Sequence, residues 1–375
     1  MPPLTMGPSV LAINAGSATV KCALFTLDAE PRAQLRGAIE QTGSSRASRL
    51  LEWVDTHTRG THLAAIGHRI VHGGDRHHEP QPVTPALLDD LRQLIPFAPN
   101  HLPDEIALIE ALSRARPDVP QIVCFDTAFH HHLPEIARRL PIPRTYDSKG
   151  VRRYGFHGLS FSFLARELQK IAGPAASSGK TILAHLGNGS SLAAVLEGRS
   201  IDTSMGFTPI GGVVMSTRSG DLDPGLVTYL GRSEGLSADA LEDLLSQRAG
   251  LLGISGATGD MRDLLDGERS DPACGMAVAI YCYQIKKCIG GFAAALGGLE
   301  TLVFSGGIGE HAPSIRERIC EGLEFLGVRL DGRANAANAP VISMPDDPVI
   351  VRVIPTDEEL MIARAAWLVL GNEDA

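Results

Sequence analysis

Four polar side chains, Asn14, Ser17, Thr19 and Lys21, interrupt an apolar start to the chain. They lie in NAGSATVK, between the strand-length runs VLAI (residues 10–13) and CALF (22–25). Small residues let backbone N–H groups approach a ligand, while the hydroxyls, the amide and Lys21 can reach an anion. A polyphosphate asks for that combination. A turn of the same kind, HLGNGSS (185–191), falls between the runs ILA and LAAVL. Taken singly, either turn reads first as an ordinary β-hairpin. Three arginines add to the pattern: Arg69 in GHRIVHGG, Arg218 in MSTRSGDLDPG and Arg262 in GATGDMRDL. Each sits in a loop rich in Gly or Ser/Thr, where a guanidinium suits bidentate capture of carboxylate or phosphate, or else braces the loop. Asp126 in FDTAFH and His157 in YGFHG are polar groups in aromatic, strand-like surroundings. They read as site residues or as satisfied core residues.

Other motifs exclude chemistry. GPAASSGKT (173–181) has five residues between its glycines, where a P-loop has four, and it leads into a strand. SGGIGEHA (305–312) has Ala312 in place of the third glycine of a dinucleotide fingerprint. It does follow the strand-like TLVF and precede a helix near Pro313, so a nucleotide can pass close to Gly306, Gly307 and Gly309. The histidine runs at 77–78 and 130–132 lack zinc-site spacing and read as surface. No GxSxG elbow is present.

These groups must be positioned by strands and helices in alternation. VLAIN, KCALF, AAIGHRIV and IVCF read as strands, and PDEIALIEALSRA as a helix with apolar residues at i, i+3 and i+4. ILAHLG, SSLAAVLEG and RSIDTS follow as strands, and GPAASSG as a loop. LSADALEDLLSQ and a long apolar segment from Gly275 to Leu296, interrupted by Gly290–Gly291, read as helical. TLVFSGG and VIVRVIP are strands flanking the helix PSIRERICEGLEFLG, and Asp357–Leu370 is a closing helix. The mixture argues α/β layers. INAGSATVKCALF also echoes LGNGSSLAAVLEG, one copy in each half.

A chain of 375 residues exceeds the usual span of one core, so two domains are expected. The net charge of −9 argues against a nucleic-acid or membrane-surface binder. Six cysteines without a CxxC pair, no apolar run of membrane-spanning length and no signal-peptide pattern point to the cytoplasm.

Taken together, INAGSATVK, GHRIVHGG, FDTAFH, VRRYGFHG, HLGNGSS, DTSMGFTP, TRSGDLDP, GGIGE and IPTDEELMIAR resemble the motifs of the acetate kinase (acetokinase) family, in that family's order. The resemblance implies two domains with duplicated actin-like (ribonuclease H-like) α/β cores around an interdomain cleft. Residues 1–127 with about 360–375 would form the first domain, and 128–359 the second, carrying the nucleotide. Asn14 and Glu358 would hold Mg²⁺ or Mn²⁺. Ser17, Thr19 and Lys21 would approach the phosphates of ATP or ADP, with His185, Leu186, Gly187, Asn188 and Gly189 as a second phosphate loop. Asp260, Met261, Arg262, Gly307, Ile308, Gly309, Glu310 and His311 would hold the nucleotide. Arg69 would bind the substrate carboxylate, with Val71, Phe156 and Pro209 around its alkyl group. Asp126, His157 and Arg218 would be catalytic. The family commonly forms homodimers.

Three departures stand out. Thr19 replaces a usual Ser, and His311 a usual Asn. In APNHLP (98–103), Asn100 takes the place of an apolar residue that often lines the acyl pocket. The implied reaction is ATP + acetate = ADP + acetyl phosphate, reversible, with propionate or butyrate as alternative acids. A nucleotide-driven module of chaperone or actin type is the rival. A carboxylic acid is ionised at neutral pH, so its oxygen attacks phosphorus without a strong base. Bringing two anions together asks for positive charge. On that view Asp126 orients a cation.

Overall fold

Apolar strand runs without polar alternation require cover on both faces, and the first sheet of the computed structural model has it. The structure describes residues 7–16, 19–27, 31–40 and 46–371. Its strands are β1 (Ser9–Ala15), β2 (Thr19–Thr26), β3 (Arg32–Glu40), β4 (Leu63–Ile70), β5 (Gln81–Pro82) and β6 (Gln121–Phe125), in the order β3-β2-β1-β4-β6-β5. β1, β2 and β3 are antiparallel neighbours, whereas β1, β4 and β6 run parallel. Leu11, Ile13 and Ala15 pack with Leu50, Val54, Leu108 and Leu112 of the helices Arg46–His57 and Leu102–Ala115. Val10 and Ala12, one residue out of phase, pack with Ile362, Ala363 and Ala366 of the helix Glu358–Val369. That helix lies so close to β4 that a Cβ at Gly67 would meet the Ile362 side chain at 2.5 Å. Only glycine fits there.

The second sheet contains β7 (Thr181–Leu186), β8 (Ser190–Leu196), β9 (Arg199–Thr203), β10 (Thr301–Ser305) and β11 (Ile350–Val353), in the order β11-β10-β7-β8-β9. Again three strands are antiparallel, and two more continue from the first of them in parallel. Read from the other edge, β9-β8-β7-β10-β11 repeats β3-β2-β1-β4-β6. The echo between the two turns is thus part of a duplicated α/β core of actin type. The helix Pro272–Leu296 covers this sheet, capped by Asp271 and ended by left-handed Gly297. It passes through Gly290–Gly291 unbroken.

The two sheets belong to separate compact units. One spans Met1–His131, Gly158–Phe163 and Asp357–Ala375, and the other His132–His157 and Leu164–Thr356. The chain thus crosses after His131, His157, Phe163 and Thr356, where the sequence placed crossings near residues 127 and 359.

Some local expectations are corrected. GPAASSG is not a loop: the helix Gly158–Ser178 runs through it with a kink at Gly173 (φ 82°), after which Pro174 restarts the helix. PSIRERICEGLEFLG is not one helix, because Pro313–Cys320 stops before left-handed Gly322 and a short 3₁₀ turn, Glu324–Leu326, follows. The histidine run is not all surface: His130 is buried against Phe129 and Phe161.

Candidate active site

In the first unit, Arg69 and Asp126 come together because β4 and β6 are parallel neighbours in which Ile70 pairs with Phe125. Asp126 is fully buried. Its Oδ2 accepts from Arg69 Nε (2.9 Å) and Nη2 (2.5 Å), while Nη1 donates to the Ala15 carbonyl at 2.7 Å. An arginine has five N–H groups, so one remains on each terminal nitrogen. That pair matches the two oxygens of a carboxylate. Asp126 Oδ1 is buried without a hydrogen-bond partner.

Asn14 stands at the end of β1, paired in register with Lys21 of β2. Its Nδ2 donates to Glu358 Oε2 (2.7 Å) and Glu359 Oε1 (2.8 Å). The sequence therefore brings together residues 344 positions apart. Glu359 also accepts from Arg36 Nη1 at 3.2 Å. Glu358 is pushed above the usual carboxylate range by burial first and by the charge of Asp126 second, against Arg69, the Asn14 amide and Lys21. Two repelling carboxylates, partly exposed Glu358 and buried Asp126 with its unpartnered oxygen, fit a hard divalent cation such as Mg²⁺. Mg²⁺ needs only one or two protein carboxylates when phosphate oxygens and water complete its shell. Among the described residues no group of three His, Cys, Asp or Glu is arranged for a metal.

The second unit gathers different chemistry around the β7–β8 turn. His157 holds a left-handed backbone (φ 59°, ψ 27°), uncommon for a residue with a Cβ. Its Nδ1 lies 2.9 Å from Ser191 Oγ, and its ring centroid is 4.4 Å from that of His185, the two rings tilted by 35°. A Cβ built on Gly189 would lie 3.1 Å from His157 Nε2 and 3.5 Å from Arg218 Nη1. Backbone, imidazole and guanidinium thus converge where Gly189 leaves room. Arg218 Nη1 donates to the Pro209 carbonyl at 3.1 Å, and Ser216 N–H donates to the Asn188 carbonyl at 3.1 Å. Just after the neighbouring strand β10, Gly306 (φ 77°) approaches the Leu186 carbonyl so closely that a Cβ would sit 2.6 Å from it. A Cβ at Gly187 would be 3.9 Å from Gly307 N. The two glycine turns therefore lie side by side.

Several expected contacts are placed differently. Leu186 and Met261 are core residues, leaving only their backbone for a ligand. Asp260 caps the helix Met261–Gly267 and pairs with exposed Arg262 at 2.7 Å. Glu310 braces its own loop, its Oε1 accepting from Gly306 N (2.8 Å) and Thr356 N (3.2 Å). His311 is exposed, and Gly307, Ile308 and Gly309 form the start of a short helix, Gly306–His311. Val71, Phe156 and Pro209 are buried, whereas Asn100 is exposed. Thr19 opens β2 and Lys21 is exposed on it; Ser17 lies outside the described residues.

Three residues were missed by the sequence reading. Glu105 is buried beside Arg69, and its signal was a carboxylate on the apolar face of PDEIALIEALSRA. Glu359 shares the Asn14 amide with Glu358. Arg316, wholly buried, donates to the carbonyls of Gly309 (2.8 Å) and Glu310 (3.1 Å), fixing the Gly306–His311 turn from behind.

The family model for the acetokinase family matches residues 49–364. An acetate kinase from Rhodopseudomonas palustris is 44% identical over 393 residues, covering 96% of this chain and 98% of the relative. One from Deinococcus radiodurans is 41% identical over 395 residues, covering 96% and 98%. Among solved structures, Porphyromonas gingivalis acetate kinase superposes with a TM-score of 0.86 at 34% identity, over 97% of this chain and 100% of that one. A propionate kinase from Francisella tularensis gives 0.87 at 32%, over 96% and 100%. With the duplicated core, the Arg69–Asp126 pair and the glycine turns already in view, these matches show that the chain belongs to the acetokinase family.

Proposed function

We propose that this protein is a carboxylate kinase that transfers the γ-phosphoryl group of ATP to acetate, giving acetyl phosphate and ADP, and that runs in reverse. The observation that carries this reading is the pairing of partly exposed Arg69 with buried Asp126. Asp126 fixes the guanidinium through two hydrogen bonds and leaves one N–H on each terminal nitrogen for a carboxylate. Acetate is already ionised at neutral pH, so no base has to act on it. Asp126 orients Arg69, and the acetate oxygen attacks phosphorus directly.

The transfer itself asks for donors aimed at the charge on the phosphoryl oxygens. His157 Nε2 and Arg218 Nη1, which converge near Gly189, would provide them. The β7–β8 turn and the Gly306–His311 turn would receive the phosphates. Mg²⁺ would be held by Asn14 and Glu358, and when bound it neutralises phosphate charge. All six cysteines are unpaired and five are buried, in keeping with a reducing cytoplasm. A homodimer is inferred from the resemblance alone.

Propionate is a second reading, favoured by the likeness to the Francisella tularensis propionate kinase. ADP formation measured with acetate, propionate, butyrate or no acid decides between them. Turnover that requires an acid, with acetate giving the highest kcat/KM, is the expected result. ATP hydrolysis indifferent to every acid would overturn the proposal in favour of a nucleotide-driven module.

A further inference from the structure

We propose that Glu105 is a positioning residue that sets how tightly Arg69 holds the acid substrate, by competing for the same guanidinium. The proposal rests on the reading that Arg69 receives that carboxylate. Glu105 lies on the buried face of the helix Leu102–Ala115, 3% exposed, amid Leu102, Ile106 and Ile109. Its Oε2 accepts the Val71 N–H at 2.9 Å. Its Oε1 is 3.5 Å from Arg69 Nη1, the terminal nitrogen that keeps one N–H to offer, yet makes no hydrogen bond.

A neutral amide would satisfy Val71 equally well. Burying a charge is costly unless it is both paired and hydrogen-bonded, and here the second oxygen lacks the hydrogen bond. What the carboxylate adds over an amide is therefore charge directed at Arg69. Arg69 already faces Asp126 at 2.5 Å and feels Glu358. An incoming carboxylate joins these anions, and ionised Glu105 raises the cost of its arrival.

Burial, the largest influence, lifts Glu105 to about 7; Arg69 and the Val71 N–H oppose it, while Asp126 and Asp104 add to it. Asp104 is itself paired with Arg46 of the helix Arg46–His57 at 3.2 Å. On the helix Pro85–Gln93, which also packs here, Arg92 is engaged with Glu110. Glu105 thus changes charge within the working range. As pH rises through 7 it ionises, and the KM for the acid should rise.

The test compares the full-length protein with Glu105→Gln, which keeps the acceptor for Val71 and deletes the charge. KM for acetate is measured from pH 6 to 8.5 at saturating ATP and Mg²⁺. At pH 8 the variant should have a KM about three- to tenfold lower, the scale of one like charge a few ångströms away in a partly shielded site. KM should move by a larger factor than kcat, and its pH dependence should flatten. An unchanged or raised KM with a parallel pH profile would overturn the proposal. Should the variant fail to fold, the parent protein decides: no rise in KM above pH 7 refutes the idea. Absence of acid-dependent turnover in the parent would overturn the site reading itself, and this proposal with it.

Discussion

Arg218→Ala separates catalysis from loop bracing. Arg218 Nη1 donates a charge-assisted hydrogen bond to the Pro209 carbonyl at 3.1 Å and touches Met215 Sδ at 3.6 Å. Its loop is held without the side chain, by Met215 N–H to the Arg218 carbonyl (3.0 Å) and Ser219 N–H to the Leu245 carbonyl (3.0 Å). Losing a hydrogen bond from a charged donor costs about 1.5–3 kcal/mol, which in a domain of 150–250 residues lowers Tm by about 3–12 °C. The kinetic loss is distinct from this one, because it persists per folded molecule. A preorganised donor facing developing charge is worth about 2.7–4 kcal/mol, so kcat should fall by roughly 10² to 10³. KM for acetate should change by a smaller factor than kcat, since the contact is made mainly in the transition state. Arg218→Lys should rescue poorly, because an ammonium cannot reproduce the fixed fork. The assay is coupled ADP release, normalised to the folded fraction from a thermal melt. A folded Arg218→Ala protein with near-native kcat would refute the assignment. So would a variant that melts far lower yet keeps its activity per folded molecule.

Three other perturbations probe the remaining parts. Gly189→Ala places a methyl carbon 3.1 Å from His157 Nε2 and 3.5 Å from Arg218 Nη1; displaced by a few tenths of an ångström or more, they should lose about 10- to 100-fold in kcat, as steady-state kinetics will read. Asn14→Ala removes the amide shared by Glu358 and Glu359, so the Mg²⁺ concentration for half-maximal activity should rise about tenfold or more; an unaltered Mg²⁺ titration would contradict the metal assignment. His68 is held neutral by burial, its folded pKa lowered to about 4 despite the hydrogen bond to Gln121. Because its pKa is depressed, its contribution to stability is complete above about 6.5 and is lost as pH falls toward 4. His68→Gln keeps a donor for Gln121, and chemical denaturation should show the acid slope reduced by about 1.4 kcal/mol per pH unit in that window.

How far the sequence could be read depended on the range of the interaction involved. NAGSATVK and HLGNGSS were legible as connections between strands because small and polar residues interrupt apolar runs of strand length. Pairings between distant elements were not. Asp126 meets Arg69 only because β6 lies beside β4, and strand order is not written in the periodicity of either segment. The half-exposed β3, with its glycine and charges, gave too weak a pattern to be seen. Leu186, Met261 and Glu310 occupy positions inside recognisable motifs yet serve the core or brace a loop, since a motif marks where a ligand passes without saying which side chains face it. Glu105 is the reverse case. It belongs to no motif that was singled out, but a carboxylate three residues after Leu102 on a helix face that goes on to bury Ile106, Ile109 and Leu112 breaks the local rule for burial. Such a break is retained where a charge has something to act on, and here that is Arg69. The apolar pattern of the helix therefore carried information about the site that motif matching passed over.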